Sequence, residues 1–243
     1  MSRRLVLIPA LVVLLAPLIP ALAAPAVAAP DCTDYTVIGA AGSGEGRSSG
    51  GLGSTVNSAA QTFAARARAA DKTVAIRPIY YPAAAVPTGL DQLGGFLASM
   101  NTGAANTQGD VEIVLKACPS TRIVMAGYSQ GAAAVHRALQ RLGDRPQFTA
   151  AALIGDPDRI PNDTTRYVGT APRSPGMAQA SALVSGANPA PLPPRVGGRT
   201  LSICAAGDPV CHWTGDLGTT VIASHTSYSG TDIGNRLAGI AGL

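Results

Sequence analysis

A serine with glycine two residues away on either side, Gly127-Tyr128-Ser129-Gln130-Gly131, offers the clearest chemistry in this 243-residue chain. An apolar run, Ile123-Val124-Met125-Ala126, leads into it, and a small-residue run from Ala132 to Leu139 leaves it. The first has the pattern of a buried strand and the second that of a helix. Strand, Gly-x-Ser-x-Gly and helix in succession form a nucleophile elbow, the turn that presents a serine hydroxyl for covalent attack. The turn is so sharp that side chains at either glycine would strike the strand or the helix. It also sets the hydroxyl above a helix amino end, which favours negative charge. In a chain with 28 glycines the five-residue pattern alone is weak. Its weight comes from the strand-to-helix context. The bland alternative is a glycine-rich turn with an incidental serine.

Serine at neutral pH is a poor nucleophile and needs a base within hydrogen-bond reach. Histidine suits, because its unperturbed pKa of about 6.5 lies near the working pH. The chain has 3 histidines. His136 lies on the helix after Ser129, which carries it away from the hydroxyl. His212 abuts Cys211. His225 lies in Ser224-His225-Thr226-Ser227-Tyr228 near the C-terminus. The triad order serine, acid, histidine favours His225 and keeps His212 as a second choice. For the acid, Asp208 sits in a turn-rich segment between Cys204 and Cys211, and Asp156 follows the strand that ends at Ile154. A short loop closed by its cysteines would pin Asp208, as an orienting carboxylate requires. Asp156 suits a capping role where the chain enters the next segment.

These groups need a frame, and the chain supplies the pattern of one. Arg3, Arg4, an apolar run over residues 5–18 and the small-residue site Ala26-Val27-Ala28 read as a secretory signal peptide over residues 1–28. Ala21-Leu22-Ala23 is a second cleavage candidate, and an uncleaved anchor is the alternative. Loss of Arg3 and Arg4 lowers the formal net charge from +4 to +2. The basic pI therefore gives no reason to expect a nucleic-acid partner. About 215 residues remain (29–243), enough for one domain with a sizeable core. No later stretch is long and apolar enough to span a bilayer.

Four cysteines in an exported chain point to two disulfides, with three pairings open. The closeness of Cys204 and Cys211 favours their union, leaving Cys32 to close a long loop with Cys118. The 41–54 segment is rich in Gly and Ser but lacks both Gly-x-Gly-x-x-Gly in register and Gly-Lys-Ser/Thr, so it is not read as a nucleotide loop. Following a strand, it is instead placed to supply an oxyanion donor. Strands are expected over 35–40, 73–80, 121–126, 148–154 and 200–205. Helices are expected over 55–70, over 88–117 with a break at 101–109, and over 233–240. Alternation of this kind implies a parallel sheet covered on both faces, with ligands beyond the carboxyl ends of its strands. Residues 156–199 carry eight prolines and read as a long surface excursion rather than a second domain.

Taken together, these motifs resemble the cutinases and their bacterial relatives, a group that includes acetylxylan esterases. The resemblance rests on the elbow, on Cys-x-x-x-Asp-x-Val-Cys at 204–211, on His-x-x-Tyr at 225–228, on Gly42-Ser43-Gly44-Glu45 and on Cys118-Pro119. It spans residues 32–243. It implies a small lidless α/β-hydrolase, a three-layer α/β/α sandwich around a mostly five-stranded parallel sheet. Ser129 would be nucleophile, His225 base and Asp208 acid, with an oxyanion hole from the backbone N–H of Gln130 and the N–H and hydroxyl of Ser43. The pairings Cys32–Cys118 and Cys204–Cys211 would match the family. Substrate would be flanked by Ala84 and Val86 on one side and by Leu217, Val221 and Ile222 on the other. Ala41 stands where the family often has arginine, which leaves the anchoring of the oxyanion loop open. The reading is a monomeric, secreted or cell-envelope-associated carboxylesterase acting on acyl lipids or polyesters without metal or organic cofactor. Phospholipase, thioesterase and acetylxylan-type deacetylase activities are the alternatives, with a non-catalytic envelope-binding protein behind them.

Overall fold

The structure, a computed structural model, describes residues 32–215 and 221–243. The expected signal peptide and Leu217 lie outside the described residues. Six strands form one sheet: β1 (Tyr35–Ala40), β2 (Val74–Pro78), β3 (Arg122–Tyr128), β4 (Phe148–Ile154), β5 (Arg166–Val168) and β6 (Thr200–Ile203). Their order is β2-β1-β3-β4-β6-β5, and every pair is parallel. The main helices are α1 (Ser54–Ala69), α2 (Leu90–Ala117) and α3 (Gln130–Leu142). Short helices α4 (Met177–Ala180), α5 (Ala182–Ser185), α6 (Pro194–Gly197) and α7 (Val221–His225) precede the C-terminal α8 (Gly230–Ala241).

Side chains alternate across each strand, so the sheet feeds two cores. Val37, Val124, Ala126 and Ile154 pack under α1 and α8, against Val56, Phe63, Ile233 and Leu237. Ile38, Met125, Ala151 and Leu153 pack on the opposite face against Val111, Val135 and Leu139 of α2 and α3. The three-layer sandwich expected from the sequence is therefore present. Alanine does much of the filling: Ala132, Ala133, Ala134 and Ala138 of α3 are all fully buried. Small side chains let that helix sit close on the sheet, and close-packed interiors favour such contact.

Three expectations are corrected. The sheet has six strands instead of five, because residues 166–168 of the Pro-rich excursion pair with β6. The prolines exclude a long element, but three residues free of proline suffice for an edge strand. The excursion is also only partly surface: Asp158, Arg159, Ile160, Leu192 and Val196 are buried, and the last two join the α2–α3 core. Finally, α2 runs unbroken through 101–109. Gly103 marks a close approach rather than a break, since a Cβ there would lie 2.9 Å from both Ala134 Cβ and Tyr81 Cδ2. Packing of α2 on α3 and Tyr81 outweighs the cost of about 1 kcal/mol for a helical glycine.

Candidate active site

The elbow joins β3 to α3 at the carboxyl edge of the sheet. Ser129 has φ 54° and ψ −119°, a strained conformation for a residue with a side chain. Such backbone costs about 1–3 kcal/mol and persists only where its surroundings over-determine it. Here they do. The Ser129 N–H donates to Ile154 O at 2.8 Å, and the Ser129 carbonyl accepts from the N–H of Ala132 at 2.9 Å. A Cβ on Gly127 would lie 2.2 Å from Gly131 O, and one on Gly131 would lie 2.2 Å from Ala40 O. Both glycines are required by collision, as the sequence suggested.

His225 ends α7. Its Nδ1 lies 2.9 Å from Asp208 Oδ2. With Nδ1–H donating to the carboxylate, the neutral ring keeps its lone pair on Nε2. The ring stacks on Tyr128, the neighbour of Ser129, with centroids 5.1 Å apart and planes 24° apart. The Tyr128 hydroxyl donates to the His225 carbonyl at 2.8 Å. Across the ring, a Cβ on Gly155 would come within 2.8 Å of His225 Cε1. Tyr128 and Gly155 thus fix the imidazole beside the elbow.

Asp208 is fully buried, and each carboxylate oxygen is engaged. Oδ1 accepts the Val210 N–H at 2.9 Å, while Oδ2 accepts from His225 and from the Tyr228 hydroxyl. Burial by itself raises the carboxyl. The His225 hydrogen bond and charge, the Tyr228 hydroxyl and the Val210 N–H outweigh it and hold Asp208 below the usual carboxylate range. Burial, reinforced by the Asp208 charge, pushes the Tyr228 phenol far above its ordinary value, so it remains a neutral donor. It also accepts the Ala205 N–H at 3.1 Å. The Cys204–Cys211 disulfide closes this loop, and Cys32–Cys118 joins β1's leader to the end of α2. Cys204, Asp208 and Cys211 lie together as a cation site might, but both sulfurs are bonded to each other and the carboxylate is occupied.

Asp156 is elsewhere. It pairs with His136 at 2.7 Å, both 1% exposed, and its Oδ1 accepts the Asp158 N–H at 2.9 Å. The expected capping contact is present, and a second buried His–Asp pair accompanies it. His212 turns to Ser174 Oγ. Around these, Arg137 binds Asp158 through Nε and Nη2, and Arg159 Nη1 donates to Pro172 O at 2.9 Å and Cys211 O at 3.1 Å. Arg159 thereby ties the excursion to the loop that carries Asp208.

The Ser43 hydroxyl is buried with no hydrogen-bond partner among the described residues, as a donor held for a substrate oxygen would be. With Ala41 in place of arginine, its loop is anchored by other means. Glu45 Oε2 accepts the Gly42 N–H at 3.1 Å, Tyr81 donates to Ala41 O, and the Gly44 N–H donates to Ala83 O at 2.7 Å. The roles of Tyr128, Tyr228, Glu45 and Tyr81 were not legible in the chain, although the first three sit inside motifs already singled out. Ala84 is half-buried and Val86 is 66% exposed. Val221 and Ile222 lie on α7. An open groove of about 720 Å³ runs between the 44–51 loop and residues 80–85, with Arg47 and Tyr80 at its sides.

Residues 31–238 match the Cutinase family. The chain is 31% identical to Phospholipase Culp4 of Mycobacterium tuberculosis, over 83% of this chain and 77% of that one. It is 25% identical to Carboxylesterase Culp1 of the same organism, over 85% and 82%. Among solved structures, a cutinase-like protein from Cryptococcus sp. superposes with a TM-score of 0.64 at 26% identity, covering 88% of this chain and 95% of that one.

Proposed function

The chain belongs to the cutinase family, and from that premise we propose that it is a secreted esterase working through Ser129, His225 and Asp208. The family and its carboxylesterase relatives make it a serine carboxylic-ester hydrolase. The observation that carries the residue assignment is the pairing of buried Asp208 with a half-buried His225, clamped by Tyr128 next to a strained Ser129.

In this reading Ser129 Oγ attacks the ester carbonyl carbon while His225 Nε2 takes the hydroxyl proton. The negative charge that develops on the carbonyl oxygen is met by Ser43 and the Gln130 N–H, the term that contributes most in such sites. The bond to the alcohol oxygen breaks as His225 returns the proton to it, leaving an acyl group on Ser129. Water then attacks the acyl carbon, giving its proton to His225. Ser129 leaves with that proton and the acid is released. Asp208 stays ionised throughout and stabilises the charged imidazole.

Substrate would be an acyl lipid or polyester, with the apolar 83–86 loop on one side of the cleft. Arg47 favours a second reading. Its side chain lines the groove and makes no ion pair among the described residues. A guanidinium there suits a phosphate in the alcohol part of a phospholipid. Among the described residues no helix is long and apolar enough to cross a membrane.

The test is labelling with a fluorophosphonate, then hydrolysis of p-nitrophenyl esters from acetyl to palmitoyl. Labelling at Ser129, abolished in Ser129→Ala, with activity rising past acetyl, is expected. Activity confined to acetyl would move the assignment to a deacetylase. A folded protein that does not label would defeat the hydrolase reading.

A further inference from the structure

The two oxyanion donors come from different parts of the chain, the 42–45 loop and the first residue of α3. Something must hold them at a fixed separation. The Ser43 hydroxyl has no protein partner among the described residues, so it does not anchor itself. The link runs through a residue that neither the motifs nor the family likeness singled out.

Ser99, in the third turn of α2, is 2% exposed, and the Gln130 side chain beside it is 1% exposed. The Ser99 hydroxyl donates to Gln130 Oε1 at 2.9 Å and accepts the Ala84 N–H at 3.1 Å. Gln130 Nε2 donates to Ala84 O at 3.4 Å, which closes a ring of three hydrogen bonds. One residue earlier, Ala83 O accepts the Gly44 N–H at 2.7 Å, directly beside Ser43. Ala83 itself is buried with φ 44°, a left-handed conformation that only firm support on both sides would maintain in a residue with a Cβ. Residues 83 and 84 are therefore a strut. One end is fastened to the Ser43 loop and the other, by Ser99, to Gln130.

We propose that Ser99 is a positioning residue of the oxyanion hole, setting the spacing between Ser43 and the Gln130 N–H through Ala83 and Ala84. The proposal rests on the hydrolase reading above. It predicts a signature that a general packing role lacks. A hole spread by a fraction of an ångström loses charge stabilisation in the transition state while the ground-state ester, which does not need the hole, binds as before.

Removal of one whole oxyanion donor costs about 10²–10³ in kcat in comparable hydrolases. Displacing both donors without deleting either should fall below that, at about 10–100-fold for Ser99→Ala. Three quantities are measured on the full chain with a p-nitrophenyl ester: kcat, KM, and affinity for an alkyl trifluoromethyl ketone, whose hemiketal oxyanion occupies the hole. The expected result is a kcat loss matched by an equal loss of ketone affinity, with KM changed less than about twofold. Ser99→Thr, which keeps the hydroxyl, should recover most of both. Near wild-type kcat in folded Ser99→Ala overturns the proposal, as does a rise in KM at constant kcat. Should Ser99→Ala fail to fold, Ser99→Cys, with a weaker donor of similar shape, decides by the same ratio. A wild-type protein that neither labels at Ser129 nor turns over esters would instead refute the hydrolase reading itself.

Discussion

Among the described residues two His–Asp pairs have nearly equal geometry, one wholly buried and one with its histidine partly exposed, and one paired perturbation separates their roles. His225 lies 2.9 Å from Asp208, and His136 lies 2.7 Å from Asp156. Gly155, which touches the His225 ring, is the residue before Asp156, so the pairs are close in space but face different surroundings. Asp208→Asn keeps the shape of the loop and the disulfide while leaving His225 without an anion. In comparable triads this substitution costs about 10⁴ in kcat. Asp156→Asn removes one partner of a buried ion pair, a change that costs about 3–5 kcal/mol. His136 can shed its proton to escape the uncompensated charge, which places the expected loss at the lower end, about 3 kcal/mol. In a domain of this size that is about 6–12 °C in Tm. Burial tends to discharge His136. The charge and hydrogen bond of Asp156, with Asp158 and Asp163, outweigh it and raise its pKa above the ordinary histidine value. A raised pKa contributes stability that is complete below about 6.5 and is lost as pH rises through the folded value. The Tm gap between wild type and Asp156→Asn should therefore be widest in mildly acidic buffer and should narrow at alkaline pH. The assays are calorimetry across pH and kcat on a p-nitrophenyl ester for both variants. An Asp156→Asn protein of wild-type Tm would refute the structural role. Near wild-type kcat in Asp208→Asn, or a larger kcat loss at Asp156, would refute the choice of acid.

Four further outcomes are expected. Tyr228→Phe deletes the hydroxyl donor to Asp208 and strands the Ala205 N–H; acid titration of unfolding should show a loss of about 1.5–3 kcal/mol. Because Asp208 is depressed when folded, its stabilisation is present above about pH 3.9 and lost as pH falls through the folded value. The variant raises that value and should unfold at higher pH than wild type. Loss of the Cys32–Cys118 disulfide, with a sequence separation of 86, should cost about 4.5 kcal/mol by chain entropy and spare kcat. Loss of Cys204–Cys211, with a separation of 7, should cost only about 2.5 kcal/mol yet lower kcat sharply, because it frees the Asp208 loop; denaturant melts beside kcat measurements test both. Arg159→Met removes the donors to Pro172 O and Cys211 O. It should lower kcat with Tm, and an unchanged kcat at reduced Tm would show that the excursion does not brace the acid loop.

Much of the frame was legible because its signals are local. Strands at 35–40 and 148–154 follow from runs of apolar residues between turns, and the structure places β1 and β4 there. The elbow is a collision rule written in five consecutive residues, and the close approaches at Gly127 and Gly131 show the same rule in space. Cysteine spacing and family likeness pointed to the two disulfides that are present. Where a local signal has two physical uses, the chain misled. Gly103 reads as a helix break, but serves as the flat spot where α2 meets Ala134. Eight prolines read as a surface excursion, yet leave room for β5 and for buried side chains that pin the segment to α3.

Residue types, their order and the periodicity of apolar positions determined the layered fold, the elbow serine proposed as nucleophile, and a short list of candidate bases and acids. Those properties depend on neighbours along the chain. Only the tertiary structure decided which aspartate meets which histidine and that a second buried pair exists. It alone showed that Glu45 and Tyr81 anchor the 41–45 loop, and that Ser99 joins that loop to the elbow through residues 83 and 84. These contacts link residues far apart in sequence, through hydrogen bonds a few ångströms long. Linear spacing carries no information about such distances until the sheet has brought its strand ends together.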